Sequence, residues 1–139
     1  MVEFALVMPI LLLLVLGIIQ YGVYFWSMNT GSNAVGDAVR RLSVGDCQSS
    51  TELKALLANR LGSATTTSES NLGVTVTYLD GSGGSTTAPG EVGGNVRLTL
   101  VYSAPDFNFP LIPVPSNGSV TRAFDARVED TSATTGGCS

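Results

Sequence analysis

The sequence predicts an α+β chain: a long N-terminal hydrophobic helix followed by a short helix and a three-stranded antiparallel sheet head. Three observations predict it. From Val2 to Trp26 the only formal charge is Glu3. The later run SSTELKALLANRLG spaces its leucines as one helix face does. Beyond it, three runs alternate apolar and polar residues with the period of a strand.

The first element is the longest. At 1.5 Å per residue the stretch from Phe4 to Trp26 spans about 35 Å, enough to cross the hydrocarbon core of a bilayer. Tyr21, Tyr24 and Trp26 have the character of an interfacial belt and place the far boundary there. A cleavable signal peptide would carry a basic leading region, a shorter apolar core and a small-residue cleavage site, whereas this start holds neither Lys nor Arg. Past the boundary Met28, Val35, Ala38, Val39 and Leu42 recur at steps of three, four and seven. An amphipathic stretch therefore carries the helix to about Ser43, giving a rod of roughly 60 Å. The expected division is residues 1–45 for this helix, with 1–26 apolar and 27–45 its amphipathic extension, and residues 46–139 for a small αβ head. Pro9 removes one backbone bond and predicts a bend or local loosening between Glu3 and Pro9. Gly17, Gly22, Gly31 and Gly36 have two readings, tolerated gaps in a weak helix or places of close helix-to-helix approach.

After the turn VGDC, Ser49 and Glu52 stand at capping-box spacing, Leu53, Leu56, Leu57 and Leu61 form one apolar stripe, and Gly62 is placed to end the helix. The stripe reads as core. In the strands, Val74, Val76 and Tyr78 alternate with Thr75, Thr77 and Leu79, and Val96, Leu98, Leu100 and Tyr102 lie on one face of the next. Val120, Phe124 and Val128 share a face with Arg122 and Ala126 in the last. Joined in order they make an antiparallel meander with one face on the helices and the other wet. The first connection, DGSGGSTTAPGEVGG, reads as a flexible loop, and the second, PDFNFPLIPVPSNG, as a stiff apolar one. Phe107, Phe109, Leu111, Ile112 and Val114 in that second loop either tuck under the sheet or wait for another subunit. Asn117-Gly118-Ser119 fits a glycosylation sequon and reads more simply as a turn.

Composition removes several function classes. The net charge of −4 and seven scattered Lys and Arg leave no basic stripe for phosphates, so nucleic acid is not an expected partner. With no histidine, the commonest general base and the commonest metal ligand are both missing. No Ser/His/Asp or Cys/His set can form, and no phosphate-binding glycine motif follows a strand. The expectation is a non-enzyme without cofactor or metal. Asp125, Glu129 and Asp130 read as strand and tail residues. Cys47 and Cys138 fit no zinc or redox spacing; they are either one disulfide formed in an oxidising compartment or two free thiols.

The segment VEFALVMPILLLLVLGIIQYG resembles the N-terminus of the TadE-like proteins of the tight-adherence (Tad/Flp) branch of type IV pili. Val2, Glu3, Phe4, Ala5, Leu6, Pro9, Gly17, Ile18, Ile19, Tyr21 and Gly22 stand in the places of that pattern. The rest of the chain agrees in outline only. The resemblance implies a type IV pilin-like subunit that waits in the bacterial cytoplasmic membrane and polymerises into an extracellular filament for adhesion or surface attachment. It names Glu3, Phe4, Pro9, Gly17 and Gly22 as assembly residues. Its partners would be copies of itself, a prepilin peptidase and the pilus assembly machinery. In the family a basic leader ending in glycine is removed by that peptidase and the glutamate lies slightly deeper, so a processed form lacking a residue or two is expected here.

Physics supports a role for the glutamate. A carboxylate isolated in an apolar bundle costs several kcal/mol, which a neighbouring subunit's α-ammonium would offset while setting the axial register. The plainer reading is a solvated carboxylate at a membrane surface. Two other functions compete: a minor pseudopilin that primes assembly, and a single-span, membrane-anchored extracytoplasmic binding module.

Overall fold

The computed structural model describes residues 2–47, 49–86, 91–109 and 111–130. The first helix, α1 (Val2–Ser43), is continuous, as the apolar run and its amphipathic extension require. Pro9 lies inside it and forfeits a bond to the fourth carbonyl back without ending the helix. Arg40 and Arg41 in its last turn complement the negative end of the helix dipole. The Ser43 carbonyl at that end accepts the backbone N–H groups of Glu129 (2.8 Å) and Asp130 (3.2 Å), so the two ends of the head are stitched together.

The second helix, α2 (Ser50–Leu61), begins after Ser49 and closes at Gly62, whose φ of +49° suits a residue without a Cβ. Ser49 occupies the N-cap position, but its hydroxyl makes no capping bond, so the expected box with Glu52 is not formed. The first turn is held instead by the Leu53 N–H donating to the Ser49 carbonyl (3.0 Å). Leu53, Leu57 and Leu61 are buried and Leu56 is half-buried, which makes the stripe core.

Among the described residues the sheet is antiparallel and has four strands rather than the expected three. These are β1 (Gly73–Leu79), β2 (Ser85–Thr86), β3 (Asn95–Ser103) and β4 (Ser119–Arg127), in the order β2-β1-β3-β4. The additional strand comes from the segment expected to be a flexible loop. Asp80 Oδ1 accepts from the Ser82 N–H (2.9 Å), the Ser82 hydroxyl (2.7 Å) and the Gly84 N–H (2.7 Å). That turn folds the chain back, so that Thr86 pairs with Tyr78 and Ser85 with Leu79. Gly83, at φ +89°, supplies the left-handed step.

Alternation in the strands is as expected. Val96, Leu98, Leu100 and Tyr102 of β3 are all buried, with exposed or half-buried residues between them. They meet Ala34, Val35, Ala38, Val39 and Leu42 of α1 and the leucines of α2 in one cluster. The head is therefore two layers, helices over one face of a sheet, with the C-terminal half of α1 built into it. Each such leucine is worth about 2–5 kcal/mol against alanine. Phe124 is different. It pairs in register with Leu98 yet is 43% exposed. It lines an open groove of about 570 Å³ between β4 and α1, opposite Gly36 and Asp37. Gly36 has nothing within 4 Å of where a Cβ would stand, so the groove stays open at that position.

Candidate functional site

Along α1 the first fully buried side chain comes at Gln20. From Phe4 to Ile19 the large apolar side chains are mostly exposed, Phe4 at 72%. Gln20, next in line, is 1% exposed. An exposed Leu, Ile or Phe forgoes roughly 1.5–3 kcal/mol of burial, so a row of this length in water is not a stable arrangement. By length and composition this helix can cross a membrane.

Gln20 is where the head first grips the rod. Its Oε1 accepts the Phe107 N–H (3.2 Å) and its Nε2 donates to Asp106 Oδ1 (3.2 Å). One residue on, the Tyr21 hydroxyl donates to the Pro113 carbonyl (3.1 Å). A buried amide satisfied on both sides holds its partners in place, because either partner left alone would pay its full desolvation. Asp106 also accepts the Asn108 N–H (2.8 Å), which shapes the loop around the anchor.

The loop so held divides its apolar residues. Ile112 is buried, and Phe109 and Val114 are half-buried, whereas Phe107 is 52% and Leu111 84% exposed. The Phe107 and Phe109 rings lie 5.8 Å apart, tilted by 31°. Ile112, Phe109 and Val114 are thus covered within the subunit, whereas Phe107 and Leu111 face out. Asn117, at φ 51°, is exposed in the left-handed turn that leads into β4.

Of the other expected site residues, Glu3, Phe4 and Pro9 are exposed in the first turns of α1. Gly17 and Gly22 have no atom within 4 Å of an added Cβ. Glu3, Phe4 and Pro9 are not brought to the loop, Glu3 lying about 26 Å along the helix from Gln20. Cys47 is buried beside the core. Its expected partner Cys138 lies outside the described residues.

A second grip stands further up the helix. The Tyr102 hydroxyl donates to the Ser27 carbonyl (2.6 Å), and the Ser27 hydroxyl donates to the Ala64 carbonyl (2.6 Å). The Tyr102 ring occupies the space a Cβ on Gly31 would need, with its Cζ 2.7 Å from that position. Burial pushes the Tyr102 phenol up from its ordinary value. Sequence reasoning passed over Gln20, Ser27 and the Gly31–Tyr102 pair. The available signal was a lone amide and a lone hydroxyl at the edge of an apolar run, where a buried polar group needs a partner.

On the wet face of the sheet Arg97 and Asp125 form a two-toothed pair, both contacts 2.7 Å. The hydrogen bond from Arg97 holds the Asp125 carboxyl below its ordinary value, and Asp125 raises Arg97 in return. The pair belongs to the β3–β4 ladder, not to the helix surface.

No curated protein and no solved structure matches the chain. A family model does match: residues 1–40, which take in the exposed rod and most of the part of α1 packed into the head, fit the family model described as TadE-like protein, the family that the segment from Val2 to Gly22 resembles.

Proposed function

We propose that this chain is a structural, non-catalytic pilin-like subunit of a tight-adherence type pilus, held in the cytoplasmic membrane by α1 and then polymerised through it into an extracellular filament. One observation carries the reading: the apolar surface from Phe4 to Ile19 is left uncovered by the chain's own head, on the segment that fits the TadE-like family. Lipid covers it before assembly, and neighbouring copies of α1 cover it afterwards. Gly17 on that surface and Gly22 just beyond it, with open space at both, allow close approach of a second helix. Glu3 sets the axial register by pairing with a neighbour's N-terminal ammonium. A bridge between Cys47 and Cys138 would tie the tail to the start of the head, an arrangement that the burial of Cys47 favours.

The test is electron microscopy of sheared surface material together with mass spectrometry of the intact subunit. Fibres containing the chain, lost on Glu3→Ala while the membrane pool persists, support the proposal. Recovery only as a dispersed membrane monomer overturns it. Abundance along the fibre separates a main subunit from a priming one.

A further inference from the structure

We propose that, before assembly, the loop at 106–113 is immersed in the outer interfacial layer of the phospholipid bilayer, as a collar around the emerging helix. The inference rests on the membrane anchorage proposed above and adds to it a part of the head.

Three observations lead there. The first is length. Gln20, Tyr21 and their bonds to Asp106, Phe107 and Pro113 hold the loop at a fixed level on α1. From Phe4 to Gln20 the helix rises about 24 Å, short of the roughly 30 Å of a hydrocarbon core. Trp26, an interfacial residue by type and exposed, lies about 9 Å further along the axis. A helix seated with Phe4 at one boundary and Trp26 near the other therefore carries the loop below the membrane surface.

The second is chemistry. Phe107 and Leu111 are exposed in the loop, as are Tyr21, which bonds to it, and Phe25 one turn further along the helix. The only formal charge from Ala104 to Gly118 is Asp106, and its carboxylate accepts from both Gln20 and Asn108. The third is the backbone. Four prolines in this stretch remove four N–H donors that the interface would otherwise leave poorly hydrated. A loop meant for water has no use for this combination.

The experiment uses the full chain in phosphatidylcholine/phosphatidylglycerol vesicles, with Trp26→Phe to clear the native fluorophore. Single tryptophans are then placed by Leu111→Trp, Val15→Trp and Phe124→Trp, and lipids brominated at defined acyl depths act as quenchers. The expected result is quenching and a blue shift for Leu111→Trp with shallow bromines, stronger quenching of Val15→Trp with deep ones, and an unquenched Phe124→Trp. A water-like, unquenched Leu111→Trp beside a quenched Val15→Trp overturns the collar and leaves the anchorage standing. If Val15→Trp is also unquenched, anchorage and collar fall together. A Leu111→Trp blue shift that grows with protein density and ignores bromine depth assigns the loop to a second copy of the chain, which also overturns the collar.

Discussion

The ring of Tyr102 lies against Gly31, filling the volume a side chain would take, while its hydroxyl reaches the Ser27 carbonyl one turn earlier. This contact sets how closely β3 approaches α1. Helix propensity alone would make Gly31→Ala stabilising by about 1 kcal/mol. Packing reverses the sign, because the Tyr102 ring is buried and bonded and has nowhere to retreat. Gly31→Ala should cost about 1–3 kcal/mol in denaturant unfolding of the detergent-solubilised chain. Gly36→Ala, five residues on with open space, should be neutral or stabilising by up to about 1 kcal/mol. Equal effects at the two glycines would refute the packing argument.

Gln20→Leu keeps the bulk and removes the bonds. The Phe107 N–H and the Asp106 carboxylate then lose their partner on the helix. We expect a loss of about 1–3 kcal/mol and faster amide exchange at Phe107, with exchange across β3 unchanged. Exchange at Phe107 as slow as in the parent would show that the loop is held by its apolar residues alone.

Gly17→Val and Gly22→Val should leave the isolated subunit as stable as the parent, because among the described residues no atom outside the local helix stands within 4 Å of an added Cβ at either position. The same changes should reduce fibre yield if helices meet there. Normal fibres from both variants would remove these glycines from the assembly surface.

Stability should fall on the acid side through Asp125. Its folded-state carboxyl titrates below the ordinary aspartate value of 3.8, held down by Arg97. The unfolded chain therefore binds the proton more readily, so the contribution is present above the unfolded value and lost as pH drops through the folded one. Melting curves from neutral to about pH 2 should show the parent above Asp125→Asn at neutrality, with the gap closing on the acid side. A constant gap would mean that the pair's charge contributes nothing.

The thiols offer a fifth check. Reduction of a Cys47–Cys138 bridge should add two daltons and destabilise by roughly 4 kcal/mol, for a loop of about 90 residues in the chain-entropy model. An unchanged mass on reduction would mean two thiols.

Residue order alone determined the rod, the stripe of α2 and the alternation of the three longer strands. These rest on periodicity, which is a local property: Phe4 to Ile19 is apolar on every side, and Val96, Leu98, Leu100 and Tyr102 fall on one face however the strands pair. The fold class and the resemblance of the N-terminal segment were legible for the same reason. Tertiary structure decided what depends on distant partners. Ser49 had the spacing for a capping box, but its hydroxyl does not cap. A glycine-rich loop became a fourth strand because one carboxylate gathered three donors. Gly31 proved to be a seat for a strand tyrosine 71 positions away, where spacing suggested a gap or a helix contact. Gln20 meets Asp106 and Phe107 across 86 and 87 positions. No window along the chain contains both members of such a pair, so the level at which the head grips the rod exists only once the chain has folded.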